Sequence, residues 1–363
     1  MQNQTVPMDA ALNALRMTQF AMMDVLRRTQ GNALGAFGLS PTECPYRIVA
    51  SGQHWRLRDY AEYETSSSFP PLLIVAAPIK RPYIWDLAPS ASAIRYCLRE
   101  HLHVFLLEWL PASRRSGNNG LVEYAQAISE CFAKVSNEIQ GTKPFLIGHS
   151  LGGTLAATYG ALAPESVRGL VLLGAPLCFQ PDTSRFRDAL VSLVPSALSE
   201  ADPFPGSLLS HASALASPDT FIWSRLRDVI LSMNDRQALD IHARIERWAL
   251  DEIPLPGKLV HQIIEWLYRE NRFCRGALMV GGTLIGPSSV LVPTLAVVNV
   301  ADDVAPLVSI APFADAMPAG KKMRIIEYPG ETGVCLQHLG ILVGREAYAK
   351  VWPQIIFWLN TCG

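Results

Sequence analysis

The pentapeptide Gly148-His149-Ser150-Leu151-Gly152 constrains this chain more than any other feature. It follows the apolar run Pro144-Phe145-Leu146-Ile147 and precedes Gly153-Thr154-Leu155-Ala156-Ala157-Thr158-Tyr159, a stretch of mostly small residues with helical character. A strand that turns into a helix tightly enough to push one side chain out of a sheet leaves no room for β-carbons beside that side chain, and glycine meets the demand. Gly-x-Ser-x-Gly alone is a weak signal. Set between a strand and a helix, it reads as a nucleophile elbow. The predicted helix start puts the backbone N–H of Leu151 beside Ser150, where the positive end of the helix dipole favours a developing oxyanion.

Apolar strand-like runs at 72–77, 103–109, 145–147 and 169–173 alternate with helix-like runs at 92–100, 121–139 and 151–163. Nearly continuous apolar strands in a βαβ rhythm predict a mostly parallel central sheet with helices on both faces. With the elbow, the expectation is an α/β-hydrolase fold. The rhythm stops after Pro176, and residues 178–275 become mainly helical and rich in large aromatics, among them Phe204, Phe221, Trp223, Trp248, Trp266 and Tyr268. We therefore expect a helical cap inserted after the sixth strand, with Trp248 and Trp266 in the cap's own core. Alternation resumes at 294–300, 308–317, 323–328 and 348–359. The resulting division is an N-terminal helical segment at 1–40, a core of 41–177 and 276–363, and a cap at 178–275. The N-terminal helix, over about 8–28, carries Met8, Leu12, Leu15, Met22 and Leu26 near one face and is expected to lie on the chain's own domain.

The uncharged stretch 276–301 is long enough for a membrane span, but Gly281-Gly282, Pro287-Ser288-Ser289 and Pro293 divide it into strand-like pieces at 277–280 and 292–300. A buried sheet is expected there, with no transmembrane span. A net charge of −1 without a long basic run removes the electrostatic footprint of a nucleic-acid binder. Seven cysteines, at 44, 97, 131, 178, 274, 335 and 362, show neither CxxC nor metal-like spacing. With no secretion signal visible, they predict reduced thiols and a cytoplasmic protein.

In α/β-hydrolases the acid and then the histidine follow the serine along the chain. Val297-Val298-Asn299-Val300 is an apolar strand running into Ala301-Asp302-Asp303-Val304-Ala305-Pro306, so the acid is expected at Asp302 or Asp303. His338 is the only histidine beyond them. His149, inside the elbow, is expected to point away from the serine, and His211, His242 and His261 fall in the cap as structural or surface groups. His338 would take the Ser150 proton, the acid would fix the imidazole tautomer, and an acyl ester would form on Ser150. The second oxyanion donor is expected on the loop after Val75-Ala76-Ala77. Pro78 has no N–H, which leaves Ile79 or Lys80. Nothing points to a metal or a redox cofactor, and acyl-coenzyme A or a carrier-bound thioester enters only as a substrate.

These motifs give the chain, from about residue 70 to 359, a resemblance to the catalytic subunit of polyhydroxyalkanoate synthases, in particular the short class III type. The segments that carry it are Pro71-Leu72-Leu73-Ile74-Val75 with Arg81-Pro82-Tyr83-Ile84-Trp85-Asp86-Leu87, Val104-Phe105-Leu106-Leu107-Glu108-Trp109, Arg247-Trp248, and Phe273-Cys274-Arg275-Gly276 with Gly281-Gly282. Asp302-Asp303-Val304-Ala305-Pro306 and His338-Leu339-Gly340 are similar to the family's acid and base motifs, which favours Asp302 as the acid. The resemblance implies an α/β-hydrolase core, a cap and hydroxyacyl substrates. It also implies a second subunit or a homodimer, and allows a granule surface as the place of the N-terminal helix.

Three departures stand out. Ser150 occupies the family's cysteine position, Asp303 stands where a histidine usually follows the acid, and 331–337 resembles a small insertion ahead of His338. A cysteine exchanges one thioester for another at little cost in free energy, whereas a serine ester is a deeper sink that water more naturally discharges. The leading expectation is a serine acyl hydrolase for hydroxyacyl esters, oligomers or thioesters. The alternatives are an acyltransferase of the polymerase or carrier-to-carrier kind, and a non-catalytic pseudo-synthase binding a partner or granule.

Overall fold

Eight strands make the central sheet of the computed structural model, which describes residues 6–60, 71–113, 118–139, 142–194, 200, 202–320 and 323–362. Numbered within this sheet, they are β1 (Arg47–Ser51), β2 (Trp55–Asp59), β3 (Leu72–Val75), β4 (Val104–Trp109), β5 (Phe145–His149), β6 (Leu170–Leu173), β7 (Thr294–Asn299) and β8 (Arg324–Tyr328). Their spatial order is β1-β2-β4-β3-β5-β6-β7-β8. β2 pairs antiparallel with both neighbours, and β4 through β8 pair parallel through β3. Successive residues of one strand enter different cores. Leu73 and Val75 of β3 pack with Phe105, Leu107 and Leu146, whereas Leu72 and Ile74 pack with Leu106, Ile147 and Trp352. Both faces being covered, the strands need no polar alternation, which is why they read as continuous apolar runs.

β1 and β2 lie outside the predicted rhythm. They form an antiparallel edge hairpin, and β1 is half exposed, so neither shows the apolar run that marks β3 to β7. Of the two pieces predicted in 276–301, only Thr294–Asn299 joins the central sheet. Leu278–Val280 instead pairs with Thr283–Ile285 in a separate hairpin.

Apart from that hairpin, the described chain between β6 and β7 is mainly helical. It holds α5 (Arg185–Leu193), α6 (Gly206–Ala216), α7 (Ser224–Leu231), α8 (Arg236–Ala249) and α9 (Gly257–Gln262), following α1 (Val6–Leu34), α2 (Ala93–Arg99), α3 (Leu121–Glu138) and α4 (Leu151–Leu162). Phe186 and Leu190 of α5 and Val260 of α9 form an apolar cluster with Phe204, Leu255 and Ile264, against which Leu208, Leu209 and Ala212 of α6 pack.

α1 lies against this helical region, but not through the face expected for it. Leu12, Leu15, Met22 and Leu26 are 56–64% exposed. The contacts come from another face: Met17 packs against the helical cluster, the Phe20 ring lies 5.4 Å from that of His211, and the Asp24 carboxylate accepts the backbone N–H groups of Gly206 and Ser207 at 3.1 and 2.8 Å, capping the first turn of α6. Arg27 meets Glu252 at 2.8 Å, and Lys80 shares the same carboxylate at 3.2 Å.

The expectation of reduced thiols throughout is overturned. Cys178 and Cys274 form a disulfide across a sequence separation of 96 residues, with their Cα atoms 5.1 Å apart. Pairing is set by proximity in space, which linear spacing does not reveal, so the cysteines no longer argue for a reducing compartment. Among the described residues no helix is long and apolar enough to cross a membrane.

Candidate active site

Ser150 stands between β5 and α4 with φ 54° and ψ −132°, a backbone conformation that is strained for a residue with a side chain. The two glycines that flank it are required by close approach. A β-carbon on Gly148 would come within 2.6 Å of the Gly152 backbone, and one on Gly152 within 2.3 Å of the Val75 carbonyl oxygen. The second contact presses the start of α4 onto the end of β3. There the Leu151 N–H belongs to the first helical turn, whose donors have no partner within the helix. The predicted donor loop lies beside it, and Leu151, Ile79 and Lys80 all line the same cavity as Ser150.

His338 is placed on a short helical turn, Gln337–Leu339, at the end of the loop after β8. Its Nδ1 lies 2.6 Å from Asp302 Oδ2, and both side chains are buried. Asp302 follows β7 and accepts the Val304 N–H on its other oxygen at 2.8 Å, which fixes the carboxylate plane. This arrangement separates the two aspartates. Asp303 turns to the helical region, where its carboxylate accepts the Thr220 hydroxyl at 3.0 Å and its carbonyl the Ser184 hydroxyl at 2.7 Å. Asn299, at the end of β7, ties the two loops together by donating to the Gln337 carbonyl at 2.7 Å and accepting the Ala301 N–H at 2.9 Å. With Nδ1–H given to Asp302, the lone pair of the imidazole resides on Nε2. That atom is buried without a hydrogen-bond partner, and His338 lines the cavity with Ser150.

His149 was expected only to point away from Ser150; the structure also ties it to His338. Its Nε2 donates to the His338 carbonyl at 2.7 Å, and the two rings lie 4.7 Å apart. Burial, reinforced by His338, pushes the imidazole down to about 3, so it stays neutral and keeps that N–H to donate. A residue adjoining Ser150 does point to the other side of β5, but here that side carries the His338 loop. Only the sheet order brings the two histidines together.

The cavity, about 370 Å³, is mostly apolar, walled by Phe179, Phe186, Leu190, Leu255, Val260 and Ile264 among others. Trp248, expected in the cap core, also lines it, with its indole N–H donated to the Arg81 carbonyl at 2.8 Å and the Lys80 ammonium 5.5 Å from its ring. Trp266, also expected in the cap core, packs instead against the apolar cluster on one face of the central sheet. Against that wall Lys80 is held by Glu252 and the Ala249 carbonyl, and burial pushes its ammonium down to about 8.

The sequence reading missed a second group of residues on the cavity's edge. Asp228 of α7 accepts the N–H groups of Gly333 and Cys335 at 2.8 and 2.9 Å, and so moors the loop that carries His338. His242 Nδ1 is 3.4 Å from the same carboxylate. Burial opposes charge on His242, but hydrogen bonds to Asp228, Cys335 and Glu246 outweigh it and raise the imidazole to about 11. The spacing of His242 and Glu246, four apart on a predicted helix, was the available signal.

A family model for the alpha/beta hydrolase fold matches residues 86–324. Among curated proteins, the chain is similar to the poly(3-hydroxyalkanoate) polymerase subunit PhaC of Haloferax mediterranei, 29% identical over 327 residues, covering 88% of this chain and 64% of that protein. It thus spans just under two thirds of that relative's length. The corresponding subunit of Allochromatium vinosum is 26% identical over 346 residues, covering 93% of this chain and 96% of that one. The synthase resemblance drawn from the motifs therefore stands. A solved structure described as a candidate lipase from Sulfolobus solfataricus shares the fold, at 15% identity and a TM-score of 0.53 over 87% of this chain and 99% of that one.

Proposed function

Because the chain belongs to the α/β hydrolase fold family, we propose that it is an acyl-transferring enzyme that uses Ser150 as nucleophile, His338 as base and Asp302 as the orienting acid, and that it hydrolyses hydroxyacyl esters or thioesters. The observation that carries this reading is the hydrogen-bonded His338–Asp302 pair at 2.6 Å, its Nε2 left free, in the same cavity as a serine held in a strained elbow. His338 Nε2 takes the hydroxyl proton as Ser150 Oγ attacks the acyl carbonyl. Asp302 stabilises the imidazolium, and the N–H groups of Leu151 and of the Ile79 loop receive the oxyanion. Collapse expels the thiolate or alkoxide, which takes the proton from His338. Water, deprotonated by the same imidazole, then releases the hydroxy acid. On this reading residues 178–275 act as the cap, whose apolar wall receives the acyl chain, and no cofactor takes part.

The similarity to polymerase subunits favours a second outcome, in which a hydroxyl of another acyl unit discharges the Ser150 ester in place of water. One experiment separates them. Purified protein is incubated with 3-hydroxybutyryl-coenzyme A while free thiol and acyl products are followed by mass spectrometry, with Ser150→Ala alongside. Free hydroxy acid equal to thiol released, and absent in the variant, is expected. Oligomers without free acid would establish transfer, and unchanged turnover by Ser150→Ala would overturn both outcomes.

A further inference from the structure

His242, Glu246 and Cys335 bring three donors of different kinds together outside the Ser150 constellation. Their ligand atoms all lie within 4.8 Å of one another. His242 and Glu246 share one face of α8, four residues apart, and Cys335 arrives from the loop before His338. Glu246 Oε1 is 3.5 Å from His242 Nε2 and 3.5 Å from Cys335 Sγ. Bond lengths of about 2.0–2.3 Å around a tetrahedral zinc ion give edges of roughly 3.3–3.8 Å, so both distances already suit a shared cation.

The outer partners are also in place. The ring nitrogen of His242 that faces away from Glu246 meets the Asp228 carboxylate, the support that ligating histidines ordinarily have, and Arg225 is hydrogen-bonded to both oxygens of Glu246. We propose that His242 Nε2, Glu246 Oε1 and Cys335 Sγ form a site for a thiophilic divalent cation of the zinc class. One nitrogen, one carboxylate and one sulfur select such an ion over calcium or magnesium, which prefer all-oxygen sites. Three protein ligands leave a fourth position, and Cys335 itself lines the cavity that holds Ser150.

Binding would replace the thiol proton by an S–metal bond and release the imidazolium proton to solvent. Two protons leave as one dication enters. The charge of the cluster, which includes Asp228, Glu246 and Arg225, is therefore unchanged.

The test is independent of turnover. Full-length protein, treated with a chelator and kept anaerobic without reductant so that the Cys178–Cys274 bond stays closed, is titrated with cobalt(II) and followed by absorption. One equivalent is expected to give a near-ultraviolet thiolate-to-cobalt band together with visible absorption typical of a tetrahedral ion. Cys335→Ser should abolish the band and Cys362→Ser should leave it intact. Asp228→Asn should weaken binding about 10- to 100-fold. Glu246→Gln, which keeps the thiol, should weaken it about tenfold or more and serves if Cys335→Ser does not fold. Absence of the band at stoichiometric cobalt, or its survival in Cys335→Ser, would overturn the site and leave the cluster a network of ion pairs alone.

Discussion

The two halves of the cavity are held by different physics. On the core side, Ser150, Leu151 and the end of β3 are positioned by backbone packing so close that β-carbons on Gly148 or Gly152 would lie under 3 Å from main-chain atoms. On the helical side, position depends on point contacts: the Asp24 cap on α6, Glu252 between Arg27 and Lys80, Asp228 on the His338 loop, and the disulfide at the neck. The close-packed half has no neighbouring arrangement to move to, because interiors at crystal-like density do not deform by degrees. The other half can loosen one contact at a time. On the function proposed above, that division suits an enzyme whose reacting groups must stay within tenths of an ångström while the roof admits and releases an acyl chain.

The largest expected effect tests the core side. Asp302→Asn should lower turnover about 10⁴-fold by removing the partner that fixes the His338 tautomer, whereas Asp303→Asn, which touches only the helical side, should lower it less than about tenfold. Equal losses would mean that the acid is wrongly assigned. Next in size, the double variant Cys178→Ser/Cys274→Ser should lose about 2–5 kcal/mol of stability. Hydrogen exchange should then show lost protection concentrated in 178–275, with β3 to β7 nearly unchanged. Uniform loss across the sheet would erase the distinction between the halves.

The smallest effect concerns pH. His149 is held near 3 in the folded protein against about 6.5 in the unfolded chain, so over that interval the unfolded state binds the extra proton. The His149 contribution should be fully present above about pH 6.5 and be lost as pH drops toward 3. His54, whose imidazole burial also lowers, adds to the same slope. His242, raised in the fold to about 11, works in the opposite sense: its contribution is fully present well below pH 6.5 and is lost as pH rises toward 11. Between pH 6.5 and 4.5, before Glu246 and Glu252 begin to protonate in the unfolded chain, chemical denaturation of His149→Gln should show a shallower slope than the parent. An equally steep slope would show that His149 is not the group responsible.

Legibility in the sequence followed the range of the interactions involved. The elbow and the strands buried on both faces are local patterns, dictated by what one turn or one strand can accommodate, and the order of serine, aspartate and histidine is read directly along the chain. For the same reason β1 and β2 escaped notice: an edge hairpin with one exposed strand shows no apolar run. The side of α1 that faces solvent could not be read either, because Asp24 and Arg27, with Met17 and Phe20 beside them, meet the helical region, and the stripe of Leu12, Leu15, Met22 and Leu26 does not.

The sequence by itself determined the sheet class, the strained turn at Ser150 and the identity of the histidine that could serve it, because these rest on steric limits within a few residues and on chain order. The tertiary structure decided that Asp302, which the motif resemblance only favoured, and not Asp303 reaches His338, that His149 supports the His338 loop, that Cys178 meets Cys274, and that Asp228, His242, Glu246 and Cys335 share one corner. Each of those contacts joins segments tens to nearly two hundred residues apart, or selects between neighbours by the direction a loop takes. Only the packing of the whole sheet and its helical roof sets distances of that kind.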